Sequence, residues 1–185
     1  MKDIKNLAKS ALQEYYSGNY KAALSLFYEI LSTDLESNIN YYNIALVYES
    51  LNELELAISY YKKAIRLNSS DIRSANNLAR IYIEEIKDYS IAETYLNHSV
   101  QTAPNDAEAY NLLGNLSMIK NDFEIAIAYF KKSIRLDDKY FKNYYDIAVA
   151  YYATNDNKDA LINIQKSIEL NPNFDKAKEL LQKIE

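Results

Sequence analysis

The stretch from Asn38 to Asp71 displays a spacing of apolar residues that recurs along the whole chain. Tyr41, Ile44, Ala45 and Tyr48 fall at i, i+3, i+4 and i+7, which puts their side chains on one stripe of a helix. A polar break at Asn52-Glu53 follows, and then a second stripe: Leu54, Ala57, Ile58, Tyr61, Ala64 and Ile65. The pattern predicts two helices joined by a tight turn. Small residues on both stripes let the two backbones approach closely as an antiparallel hairpin. Neither helix can bury its stripe alone, so each hairpin needs a neighbour.

The chain supplies those neighbours at a fixed period. A small residue recurs in the first helix at Ala11, Ala45, Ala79, Gly114 and Ala148, at intervals of 34, 34, 35 and 34 residues. An alanine recurs in the second helix at Ala23, Ala57, Ala92, Ala126 and Ala160, at intervals of 34, 35, 34 and 34. This double register and its small/large pattern resemble the tetratricopeptide repeat family. The resemblance covers almost the whole chain. It implies an all-α fold, a right-handed α-solenoid of five helical hairpins plus a C-terminal capping helix. As a single domain, residues 1–185, it would divide into repeats at about 4–37, 38–71, 72–106, 107–140 and 141–174, with the cap at 175–185.

Local residues support that division. In the first unit Leu7 stands where the family often has Trp, Gly18 makes the turn and Phe27 fills the large position. Lys2, Lys5, Lys9 and Gln13 give its first helix a polar side. Asn52, Asn121 and Asn155 occupy the inter-helix turns of other units, and asparagine tolerates a left-handed backbone better than most residues. The extra residue of the third unit falls in Glu84–Asp88 and is expected in the inter-helix turn, where an insertion costs little. Pro104 and Pro172 lie just past second helices, where they stop a helix without removing a needed bond. Ala177, Leu180, Leu181 and Ile184 form one face of the final segment, so it reads as a cap over the last hairpin.

Composition narrows the function more than the fold. Nearly half of the residues are apolar, which excludes a disordered chain, and two glycines and two prolines are too few for a turn-rich sheet. The net charge of −5 argues against general nucleic-acid binding. Without cysteine there is no disulfide and no thiolate nucleophile. No apolar run reaches the length of a membrane span, and the N-terminal residues lack the apolar core of a signal peptide. A cytoplasmic home is expected. The lone His98 has no ligand partners at metal spacing, and no nucleophile elbow or phosphate-binding glycine loop occurs, so neither enzyme activity nor a cofactor is expected.

What remains is binding. The resemblance implies that first helices line a concave groove, with groove residues one step beside the packing stripe. Carried over, this places Arg73, Tyr42, Asn76, Asn111, Tyr145, Asn43, Asn77, Arg80 and Asn115 on that surface, with Asp146 in the same register as Asn43 and Asn77. Members that bind extended peptides use Asn at the Asn43 and Asn77 positions. A side-chain amide can pair with both sides of a peptide group, and an arginine can grip a carboxylate with two parallel bonds. The expected partner is therefore a protein or peptide, acidic or ending in a free carboxylate, bound without nucleic acid or membrane by a monomer or weak homo-oligomer. The two-carboxylate clamp of chaperone-binding relatives is incomplete: Ala8 and Leu12 replace its first Lys and Asn, and Asn77 replaces its Arg. Self-association through Ile4, Leu7, Leu12 and Tyr15 is the alternative.

Overall fold

In the computed structural model, which describes residues 4–184, helix is the dominant structure and no strand occurs among those residues. The helices are α1 (Ile4–Tyr16), α2 (Tyr20–Thr33), α3 (Asn38–Ser50), α4 (Leu54–Leu67), α5 (Ile72–Ile81), α6 (Tyr89–Thr102), α7 (Ala107–Ile119), α8 (Phe123–Leu136), α9 (Phe141–Ala153), α10 (Asn157–Leu170) and α11 (Asp175–Ile184). Lys2, assigned above to the polar side of α1, lies outside the described residues. The chain divides into two compact units, Met1–Ile81 and Tyr82–Glu185.

In the first unit α1 packs on α2 and α3 on α4, while α2–α3 and α4–α5 contacts join successive hairpins. Ala11, Ala23, Phe27, Ile30, Ile44 and Val47 are buried together, with Leu7, Leu12, Tyr15 and Tyr48 packed against them. Ala45, Ala57, Ala64 and Tyr61 are also fully buried, so both small-residue registers face inward. Tyr28 binds the hydroxyls of Tyr48 and Tyr60 at 2.8 Å each, a three-phenol junction between α2, α3 and α4.

In the second unit α7–α8 and α9–α10 are the hairpins, and α11 packs on α10 and α9. Ala126, Phe130, Ile147, Ala148, Ala160 and Ile164 share one core with Ala177, Leu180 and Ile184 of α11. The last helix thus covers the apolar side of its neighbour. Ser133 and Ser167 replace an alanine of the second stripe and donate to the carbonyls of Ala107 and Phe141, at 2.7 and 2.9 Å. Each buried hydroxyl is therefore satisfied within its own hairpin.

The turns follow a shared rule. Gly18, Asn52, Asn121 and Asn155 have φ of 79°, 60°, 62° and 61°. In each, the next N–H reaches back to the third-last helical position: Asn19 to Glu14, Glu53 to Tyr48, Asp122 to Ser117 and Asp156 to Tyr151. That is the paired-bond ending in which a left-handed residue satisfies otherwise orphaned carbonyls. The third repeat differs from expectation. Its extra residue is not in the turn: Tyr82–Ile86 form a π-helical turn, and only Lys87 and Asp88 separate it from α6. A π turn holds one more residue than an α turn, so the insertion is absorbed inside the helix. Lys87 then takes the left-handed position, with φ 62°.

Second helices end alike as well. Ala103 and Asn171, which precede Pro104 and Pro172, have φ/ψ of −132°/86° and −141°/91°. Asn68 and Asp137, with no proline after them, adopt −140°/99° and −140°/95°. Proline restricts its predecessor to this extended region, so it fits a geometry the repeat already uses.

Candidate interaction surface

In the first unit the residues assigned to the groove stand on α3 and α5. Arg73, in the first turn of α5, lays its guanidinium over the Tyr42 ring, 4.5 Å from the centroid. Its Nε lies 3.5 Å from Oδ1 of Asp71, and 52% of its side chain remains exposed. Asp71 is itself fixed, because Oδ2 accepts from Asn38 Nδ2 at 3.2 Å and from Ser74 Oγ at 3.0 Å. The cation is thus held flat and aimed by a carboxylate that sequence spacing did not single out. Asn43 is half-buried on α3, one residue from Tyr42.

Two other assignments change in character. Asn76 is only 2% exposed, so it presents no amide to a ligand in this structure. Arg80 forms a short ion pair with Oε1 of Glu49 and donates to Oδ1 of Asn77 at 3.2 Å. Tyr61 in turn donates to Oε2 of Glu49 at 2.8 Å. Burial first, and then the Glu49 charge, raise the Tyr61 phenol well above its ordinary pKa, so it stays a donor. Arg80 therefore serves as a brace between α3 and α5 that orients Asn77, and its charge is compensated. Glu49 lies at the far end of α3, and nothing in its local sequence marks it as the partner.

The second unit gathers a different set on α7 and α9. Asn111 donates through Nδ2 to Oδ1 of Asn143 at 3.1 Å and to Oδ2 of Asp146 at 2.9 Å. Its own oxygen accepts from Asn115 Nδ2 at 3.1 Å. Asn143, buried, donates onward to the carbonyl of Asp137 at 3.3 Å. Burial pushes the Asp146 carboxyl up to about 6, opposed by the Asn111 hydrogen bond and by Lys142 and Lys176. Tyr145 stands edge-on to Phe174, 5.0 Å between centroids, and burial also raises its phenol. Asn111 and Asn115 thus come together, joined by Asn143 and Asp146, while Tyr145 packs on Phe174.

The residues of the alternative divide. Leu7, Leu12 and Tyr15 pack into the core of their own unit, and Ile4 is 43% exposed. Among the described residues no group of three or more acidic or histidine side chains is placed to hold a metal, and no helix is long and apolar enough to cross a membrane.

The pattern of small residues, the hairpins and the turn geometry together define a helical-repeat protein. Tetratricopeptide repeat models match residues 41–71, 72–106, 107–140 and 141–174, and the chain belongs to that family. It is 31% identical over 125 residues to the photosystem I assembly protein Ycf3 of Cyanophora paradoxa, an overlap of 58% of this chain and 72% of that one. It is 28% identical over 87 residues to anaphase-promoting complex subunit 3 of Schizosaccharomyces pombe, matching 47% of this chain but only 13% of that protein's length. Among solved structures, the type IV pilus biogenesis factor PilW aligns over 100% of this chain and 85% of its own, with a TM-score of 0.87 and 16% identity. YrrB, a tetratricopeptide repeat protein with an unusual peptide-binding site, aligns over 96% and 91%, with a TM-score of 0.68 and 20% identity. At such identities the structural likenesses establish the fold. The repeats make the chain a protein–protein interaction module.

Proposed function

We propose that the first-helix faces of this protein bind an extended segment of a partner protein, without catalysis. On the first unit the segment presents a carboxylate, from an acidic side chain or a chain end, to Arg73. The observation that carries this reading is the Arg73 guanidinium, held against Tyr42 at 4.5 Å with half of its side chain in water. Stacking and the Asp71 contact remove rotamer freedom in advance, so less order is lost when a carboxylate docks. Asn43 stands beside Tyr42 at the register that suits a peptide group, and Arg80 orients the Asn77 oxygen while its Nδ2 has no acceptor among the described residues. YrrB, with a similar fold, has a peptide-binding site of its own.

The experiment is calorimetry with a peptide selected from a random display library against the full chain. Asn43→Ala is expected to weaken binding by roughly 1–3 kcal/mol, the scale for leaving a polar partner unpaired. Arg73→Ala should weaken peptides with an acidic residue and spare those without one. Full affinity in both variants would refute the assignment.

A further inference from the structure

The second unit carries an acid where the first carries amides. Asp146 stands on α9 at the register that Asn43 occupies on α3 and Asn77 on α5. An amide offers both a donor and an acceptor, whereas an ionised carboxylate only accepts. Its surroundings are already committed: both Asn111 amide hydrogens are used, one on Asn143 and one on Asp146 Oδ2, and the Asn111 oxygen takes the Asn115 hydrogen. Asp146 Oδ2 has its donor, and among the described residues none donates to Oδ1.

The charges that face this carboxylate are Lys142, one turn earlier on α9, and Lys176 on α11. Both act through their field, and among the described residues neither forms an ion pair with it. Glu179 of α11 acts on the neighbouring Tyr145. Burial makes the ionised form costly, which an asparagine at this position would avoid.

We infer that Asp146 receives a cationic side chain, lysine or arginine, of the bound segment on the α7/α9 face of the second unit. An ammonium or guanidinium supplies the donors that the carboxylate accepts and the opposite charge that offsets its desolvation. Tyr145, set edge-on against Phe174 at 5.0 Å, offers its ring to the methylene stem. The inference rests on the proposed function and deepens it by naming what the partner must present.

The test is selection of random dodecapeptides against the full chain and against Asp146→Asn, at neutral pH, followed by calorimetry of the enriched sequences. The wild type should enrich a lysine or arginine at one position. Replacing that residue by norleucine should cost about tenfold in affinity for the wild type, the effect of one charge-assisted bond, and leave Asp146→Asn indifferent. Enriched peptides without a basic preference, or a preference that persists in Asp146→Asn, would overturn the inference and leave the proposed function standing. Recovery of no peptide by either chain would overturn both.

Discussion

Gly114 lies so close to Phe130 that a Cβ at this position would sit 2.4 Å from Cε1 of the ring. Phe130 is fully buried in the α7/α8 hairpin, so the ring has little room to withdraw. The other hairpins carry alanine at this register, including Ala11 in the hairpin of Phe27, so the overlap belongs to this hairpin and not to the residue pair. Gly114→Ala should therefore destabilise the protein by roughly 1–3 kcal/mol, overriding the helix propensity that alanine adds. Adding Phe130→Leu should recover part of the loss, because leucine is the smaller residue and already fills this register at Leu96 in the third repeat. Urea denaturation of the two variants checks both statements.

Lys87 occupies the left-handed turn position that Gly18 and three asparagines fill elsewhere. A side chain with a Cβ is strained there by about 1–2 kcal/mol, less for asparagine and least for glycine. Lys87→Asn should raise stability by several tenths of a kcal/mol, with Lys87→Gly similar after its larger unfolded-state entropy is subtracted. Differential scanning calorimetry reads the difference, and a lower melting temperature in both variants would contradict the turn assignment.

Glu49 accepts from Tyr61 and pairs with Arg80, joining α4 and α5 through the end of α3. Glu49→Ala removes a shared acceptor and should cost about 1–3 kcal/mol. Once Glu49 is absent, Arg80→Ala should cost little more, so the double variant falls short of the sum of the singles. Additive losses in a double-mutant cycle would mean that the two side chains do not act as a brace.

Asp146 gives the stability a pH dependence opposite to that of a salt-bridged acid. Burial raises its folded pKa to about 6, above the ordinary carboxylate range. Below the unfolded value the group is protonated in both states and contributes nothing. As pH rises towards 6 the unfolded chain releases this proton first, so stability falls across that window. Above it the penalty is complete, on the order of 3 kcal/mol at most. Asp146→Asn should therefore be about as stable as the wild type near pH 3.5 and more stable at pH 7.5. A gap that stays constant between those pH values in denaturant titrations would contradict the raised pKa.

The hairpin register was legible in the sequence because backbone proximity demands small side chains whatever surrounds them. Ala11, Ala45, Ala79, Ala148 and their second-helix counterparts are all buried, as that argument requires. The positive φ at Gly18 and three asparagines was equally readable, since local sterics alone decide it. The Lys87 turn was not, because a π turn moved the insertion into the helix and left no favoured residue at the corner. On the candidate surface, the family resemblance assigned Arg73 and Asn43 to the first helices, but it did not say what reaches them from elsewhere. Glu49 meets Arg80 across 31 residues, and Asn111 meets Asp146 across 35. Such pairs depend on how successive helices align, which a single-helix pattern does not encode. Asn76 illustrates the limit: its register suits an exposed amide, and the fold buries it.

The most direct measurement is side-chain NMR of the isotopically labelled full chain as a library-selected peptide is added. Shifts of the Asn43 and Asn77 amide groups and of the Arg73 Nε–H, with second-helix side chains such as Asn97 and Asn163 unmoved, are the expected result. Shifts confined to the second helices, with Asn43 and Arg73 silent at saturation, would contradict binding on the first-helix face.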